Sequence, residues 1–129
     1  CDVIVVGGPG ERMTAREIAT AARAKVANLV EEGMSLSLLK SIAKRCALFI
    51  TVDSGPRHFA VAFDKPVVVL MGATNPRYTN CNLEKTIIVM ADGVDCAPCQ
   101  KKRCPTDHRC MTRITPDMVL DAANRLLNV

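Results

Sequence analysis

Aromatic residues are scarce in this sequence, which has no tryptophan, one tyrosine and three phenylalanines. Readers of single-stranded nucleic acid stack bases on aromatic side chains, so this composition excludes an aromatic nucleic-acid platform. The charge excess is also small, because 17 lysines and arginines stand against 13 aspartates and glutamates, and the basic residues are scattered apart from Lys101-Lys102-Arg103. We therefore expect no nucleic-acid partner.

Long apolar runs are missing as well. Runs such as Val67 to Met71 are far shorter than the roughly 20 residues needed to cross a bilayer. Asp2 and the turn Gly7-Gly8-Pro9-Gly10 interrupt any basic-then-apolar leader, so no signal peptide is predicted. We expect a soluble protein without a transmembrane segment. Because the sequence opens on a strand-like run, we also expect it to be a domain of a longer protein.

The 129 residues, 49% of them hydrophobic, are of the length and composition of one globular domain, predicted over residues 1–129. Short apolar runs alternate with segments of helical periodicity, which predicts an α/β fold with a doubly wound parallel sheet. The predicted strands are Val3 to Val6, Val26 to Val30, Leu48 to Val52, Val67 to Met71 and Thr86 to Met90. Helix starts are predicted at Thr14 (a capping box with Glu17), Ser35, Pro56 and Thr115.

Four of the seven cysteines fall in one predicted loop, residues 91–113. Their spacing is C-x2-C-x4-C-x5-C, and the first pair has a common zinc spacing. The sequence predicts a structural zinc site with four thiolate ligands, while free or disulfide-bonded cysteines stay open as alternatives. The predicted ligands are Cys96, Cys99, Cys104 and Cys110, and Cys1, Cys46 and Cys81 are predicted bystanders.

Ligands of parallel α/β sheets bind beyond the carboxyl ends of the strands, which directs attention to three loops. In the loop Asp53 to His58, a helix N-terminus offers free N–H groups to an anion, and Asp53 suits the hydroxyl groups of a sugar. The alternative is that Asp53 or Ser54 only caps the helix. The other two loops are Gly7 to Glu11, where the carboxylate can accept from a ribose diol or merely be solvated, and Gly72 to Pro76.

Several motifs in order resemble the ADP-heptose:lipopolysaccharide heptosyltransferase family. Together the motifs cover nearly the whole chain, and their occurrence in this order is what makes the resemblance to the family specific. The motifs are Gly7-Gly8-Pro9-x-Glu11, Met34-Ser35-Leu36, Asp53-Ser54-Gly55-Pro56-x-His58, the segment Pro66 to Pro76 with Gly72-x-Thr74-x-Pro76, and the late cysteine cluster.

The resemblance implies one of two Rossmann-like domains that face each other across a cleft, the arrangement called GT-B. This chain is similar to the C-terminal half, which binds the sugar nucleotide. By the resemblance, Glu11 holds the ribose hydroxyls, Met34 lies against adenine, and Asp53 contacts the heptose. The pyrophosphate is held by the Ser54 and Gly55 amides with the His58 side chain, and Thr74 lines the same pocket.

The resemblance also implies transfer of heptose from an ADP-sugar to a lipid-linked saccharide of the lipopolysaccharide inner core. The family's general base and acceptor site lie in the N-terminal domain, so no catalytic residue is predicted in this chain. The resemblance assigns no role to Arg57, although the residues alone indicate that Arg57, like His58, could add a charge-assisted hydrogen bond to a phosphate at the helix start. No catalytic cofactor is expected, the only predicted metal being the structural zinc. The implied location is the cytoplasm, including the inner face of the inner membrane.

Two other classes of protein compete with this interpretation. A metal-binding or redox module would be built on Cys96-x-x-Cys99. A receiver-type signalling domain would also place an aspartate after a central strand, but it needs an acidic pair after the first strand, where this sequence has Gly7-Gly8-Pro9.

Overall fold

The structure is a computed structural model that describes residues 2–79 and 83–128, so Cys1 and Cys81, two of the predicted bystanders, lie outside the described residues. The chain divides into two compact units, Cys1–Ile42 and Ala43–Val129. The one-domain organisation stays a prediction.

The first unit opens with a parallel strand pair and a helix. Strand β1 (Val3–Val5) pairs with β2 (Val26–Asn28). Between them lie a 3₁₀ turn (Pro9–Glu11) and helix α1 (Arg12–Ala21). The helix begins two residues before Thr14, so the predicted capping box at that residue is wrong: the 3₁₀ turn runs directly into the helix and leaves Thr14 inside it.

Helix α2 (Leu36–Arg45) begins where the sequence predicts. The hydroxyl of Ser35 accepts a hydrogen bond from the Leu38 amide at 3.1 Å, which satisfies one of the free N–H groups of the first turn. The boundary between the two compact units falls within this helix.

The second unit contains three parallel strands in the order β3-β4-β5. Their bounds are β3 (Phe49–Val52), β4 (Val67–Leu70) and β5 (Thr86–Val89). Residues Phe49, Val67 and Thr86 lie side by side at the start of the three strands. All three strands fall within the predicted apolar runs and therefore confirm those predictions.

The central strand β4 is covered on both faces. Val67, Val68 and Val69 are fully buried although successive side chains of a strand point to opposite sides. Val68 packs with Ala122 and Ala123 of helix α5 (Pro116–Leu127), and helix α3 (Gly55–Ala62) packs against β3 and β4. This burial pattern is that of a parallel sheet wound with helices, as predicted.

The cysteine-rich segment, residues 91–113, has little regular structure. It contains the short helix α4 (Arg109–Thr112), which the sequence did not predict. Helix α5 follows it and is capped as expected, because the Thr115 hydroxyl accepts from the Met118 amide at 3.3 Å.

Candidate functional site

A cavity of about 260 Å³ lies in the second unit at the carboxyl ends of β3 and β4. Residues that follow these strands form one side of it, and the cysteine-rich segment forms the other. Parallel sheets bind ligands at this edge, so the position agrees with the expectation from the sequence. The polar and sulfur-bearing residues that line the cavity are Asp53, Thr74, Cys96, Cys99, Lys101, Lys102, Cys104, Thr106, His108, Arg109, Cys110 and Met111.

Asp53 is held by a buried arginine one helical turn away. Its Oδ1 accepts from the guanidinium of Arg57 at 2.7 Å, and the arginine side chain is only 1% exposed. The same guanidinium donates to the Thr79 hydroxyl at 3.0 Å and to the Thr79 carbonyl at 2.7 Å. Arg57 therefore ties the loop after β3 to the turn that follows β4, and it fixes one oxygen of Asp53.

The N-terminus of α3 has no side-chain cap. Ser54 occupies the N-cap position, but its hydroxyl faces the Val52 carbonyl at 3.4 Å instead of the helix amides. A methyl group built on Gly55 would meet no atom within 4 Å, so there is open space beside this turn. His58 is exposed in the first turn of the same helix. Neither Asp53 nor Ser54 therefore caps the helix with its side chain. Ser54, Gly55 and His58 do not line the cavity.

The loop after β4 packs closely against the cysteine-rich segment. A methyl group at Gly72 would lie 2.7 Å from Met111 Sδ and 2.8 Å from Cys110 Sγ, so this position has no room for a larger residue. The Gln100 amide donates to the Ala73 carbonyl at 2.8 Å. Thr74 is half-buried and lines the cavity, and its place in a donor pocket stays a prediction.

The four clustered cysteines all line this cavity as free thiols. Among the described residues, which include all four, no three His, Cys, Asp or Glu side chains are grouped so as to hold a metal ion. This arrangement does not fit the zinc site, which stays a prediction from the spacing. The thiols contribute instead to one wall of the cavity.

The thiols of this chain differ in acidity. Hydrogen bonds to the Cys104 sulfur, first from the Thr106 hydroxyl and then from backbone amides that include His108, lower the pKa of this thiol. Burial raises the pKa of the Cys46 thiol, which lies outside the cavity.

Two predicted site residues lie in the first unit. Glu11 ends the 3₁₀ turn, and its Oε2 accepts from the Gly8 amide at 2.6 Å. Its other carboxylate oxygen has no hydrogen bond within the part of the chain that the structure describes. Met34 is half-buried in the loop before α2.

Reasoning from the sequence missed the burial of Arg57 and the cavity wall formed by the lysines of the cysteine-rich segment. The spacing of Asp53 and Arg57, four residues apart across a helix start, was the available signal for the ion pair. No sequence signal placed Lys101 and Lys102 at the carboxyl ends of β3 and β4, because that contact depends on how the segment folds back.

Parallel strands wound with helices and a cavity at their carboxyl edge are typical of α/β folds that bind ligands at this edge. The model of glycosyltransferase family 9 (heptosyltransferase) matches residues 1–109. The chain belongs to this family. The receiver-type alternative is thereby removed.

Curated and solved relatives agree with this assignment. The chain is 31% identical over 131 residues to lipooligosaccharide heptosyltransferase 2 of Campylobacter jejuni, covering 98% of this chain and 41% of that protein. It is 29% identical over 109 residues to lipopolysaccharide heptosyltransferase 1 of Pseudomonas aeruginosa, covering 73% of this chain and 30% of that protein.

The fold is similar to that of E. coli ADP-heptose lps heptosyltransferase II, with a TM-score of 0.80, 25% identity, and coverage of 98% of this chain and 36% of that one. A family 9 glycosyl transferase from Veillonella parvula gives a TM-score of 0.78, also at 25% identity, and covers 98% of this chain and 37% of that one. The chain thus spans about two fifths of the length of its relatives or less. No helix in residues 2–79 and 83–128 is long and apolar enough to cross a membrane.

Proposed function

We propose that this chain is the sugar-nucleotide-binding part of a heptosyltransferase, which binds ADP-heptose for transfer of heptose to the lipopolysaccharide inner core. The observation that carries the proposal is the family match over residues 1–109. The cavity at the carboxyl ends of β3 and β4 supports it, since a few polar side chains on its largely apolar lining, such as Asp53 and Thr74, can bind the hydroxyl groups of a sugar.

Asp53 is proposed to hold the sugar of the donor. Arg57 fixes Oδ1, while Oδ2 has no hydrogen bond among the described residues and can accept from a sugar hydroxyl. Thr74 lines the same cavity and offers a hydroxyl that can donate or accept. Because Arg57 fixes one carboxylate oxygen, the other oxygen is already positioned to accept from a sugar hydroxyl and orient the ring.

The first turn of α3 is proposed to stabilise the leaving diphosphate. Transfer breaks the bond between the anomeric carbon of the sugar and the diphosphate oxygen, so negative charge grows on the departing ADP. The α3 N-terminus lacks a side-chain cap, and the open space at Gly55 admits a phosphate close to the backbone amides. His58 is exposed in that turn and can donate a further hydrogen bond.

Glu11 and Met34 of the first unit are proposed to bind the adenosine part of the donor. The Gly8 amide holds Oε2 of Glu11, which leaves the other oxygen to accept from the ribose diol. Met34 offers a half-buried thioether, an adaptable apolar contact for a planar base. These roles follow the family resemblance.

The acceptor site and the general base are proposed to lie on a part of the protein beyond this chain. None of the residues assigned here takes a proton from an acceptor hydroxyl. We propose that the protein works in the cytoplasm or at the inner face of the inner membrane, where a lipid-linked saccharide acceptor is within reach.

Calorimetry with ADP tests the proposal. The 129-residue chain should bind ADP yet transfer no heptose, because it carries the donor site without the base. Folding of each sample is checked by circular dichroism. Failure of the folded chain to bind ADP at millimolar concentration would contradict the proposal, and transfer by this chain alone would contradict the division of roles.

Two substitutions test separately the contacts with the ribose and with the sugar of the donor. Glu11→Ala should weaken ADP binding by about 1.5–3 kcal/mol, the value of a hydrogen bond to a charged group, and leave inorganic pyrophosphate binding unchanged. Glu17→Ala removes an exposed carboxylate from α1 and is the matched control. Asp53→Ala should weaken binding of ADP-heptose more than of ADP, and equal losses would show that this carboxylate does not contact the sugar.

A further inference from the structure

The cysteine-rich segment is a fixed wall of the donor cavity. Its Gln100 amide is bonded to the Ala73 carbonyl at 2.8 Å, and Cys110 is buried against Gly72. Side chains of this segment are thereby held at the same edge of the sheet as Asp53 and Thr74.

The charges that line the cavity leave two cations without a counter-ion. Asp53, the lining carboxylate, is already paired with Arg57, and Arg109 is paired with Asp107. Within residues 2–79 and 83–128, neither Lys101 nor Lys102 forms an ion pair. The cavity therefore carries uncompensated positive charge on the wall that faces the strand ends.

We propose that Lys101 and Lys102 bind the diphosphate of the nucleotide sugar in this cavity. An ammonium group on a flexible stem is a point charge that can follow a phosphate through several donor geometries. Two such groups beside a cavity of about 260 Å³ attract an anion, while Asp53 and Thr74 can form hydrogen bonds with the neighbouring sugar.

This inference rests on the proposed function and adds a second set of phosphate contacts to it. The α3 residues assigned to the pyrophosphate by the family resemblance do not line the cavity, whereas both lysines do. The cysteine-rich segment thus becomes part of the donor site through its lysines, and its thiols shape the wall that presents them.

The test compares the chain with its Lys101→Gln/Lys102→Gln variant in calorimetric titrations with ADP, inorganic pyrophosphate and adenosine. Lys44→Gln/Arg125→Gln is the matched control, because it removes the same charge from exposed residues outside the cavity. All four side chains are exposed, so the variants should fold, and circular dichroism checks that they do.

The lysine variant should bind ADP and pyrophosphate about 5- to 10-fold more weakly and adenosine unchanged, since partly solvated charge pairs contribute modestly. Its ADP affinity should also depend less on salt than that of the unmodified chain. Binding of ADP by the unmodified chain with no loss in the lysine variant would overturn this inference alone. A folded chain that binds neither ADP nor pyrophosphate would overturn the proposed function with it.

Discussion

Replacing Arg57 by methionine tests the ion pair that holds the candidate site together. The methionine keeps much of the apolar stem but removes the guanidinium, whose three hydrogen bonds reach Asp53 and Thr79 at 2.7–3.0 Å. The Asp53 carboxylate, only 11% exposed, is then left without a cation, and the Thr79 carbonyl loses its donor.

The expected cost follows from that burial. Removing one partner of a buried ion pair destabilises a protein by about 3–5 kcal/mol, because the remaining charge stays out of water without compensation. Asp53 borders a cavity, so solvent can relieve part of this penalty, and we expect about 3 kcal/mol. Since domains unfold with a free energy of only about 5–15 kcal/mol, this decrease in the free energy of unfolding should be readily measurable.

Urea denaturation followed by far-ultraviolet circular dichroism measures the loss, because the chain has no tryptophan to report by fluorescence. The variants Asp53→Asn and Asp53→Asn/Arg57→Met complete a double-mutant cycle, and the double variant should be more stable than the sum of the single losses allows. Exposed Arg125→Met is the control. An Arg57→Met variant within about 0.5 kcal/mol of the unmodified chain, the range of a surface substitution, would refute the reasoning.

The remaining predictions concern the cavity wall. Gly72→Ala should destabilise the chain by about 1–3 kcal/mol through overpacking, whereas Gly10→Ala, with no atom within 4 Å of the new methyl, should have little effect in the same urea titration. Alkylation mapped by mass spectrometry should reach its half-maximal rate at lower pH for Cys104 than for Cys46, because a lowered pKa raises the thiolate fraction, and Thr106→Val should raise that pH; identical midpoints would contradict the assigned cause. About one zinc per chain by elemental analysis would confirm the zinc site predicted from the spacing, and metal-free protein with four titratable clustered thiols would remove it.

Much of the fold could be predicted because local patterns determine it. The run Val67 to Val69 is apolar at every position, a pattern typical of a strand covered on both faces, and Ser35 and Thr115 cap their helices as small hydroxyl residues do. The predicted start at Thr14 failed because a 3₁₀ turn competed with the capping box, and single-turn helices have weak sequence signals.

The candidate site was predictable only where it follows directly from a strand end. Asp53 and Thr74 lie in loops next to neighbouring parallel strands, so their meeting in one cavity follows from topology. The separation of His58 from that cavity does not, because it depends on the direction in which α3 presents its first turn.

The sequence by itself determined the parallel α/β class, the Ser35 and Thr115 helix caps and the ordered motifs of the family, since each depends on residues close together in the chain. Only the tertiary structure decided that Arg57 is buried against Asp53 and Thr79 and that the cysteine-rich segment forms a cavity wall. Both depend on contacts between residues more than 20 positions apart, as from Arg57 to Thr79 and from Gln100 to Ala73. Burial and charge pairing at such range are set by packing, which local periodicity does not encode.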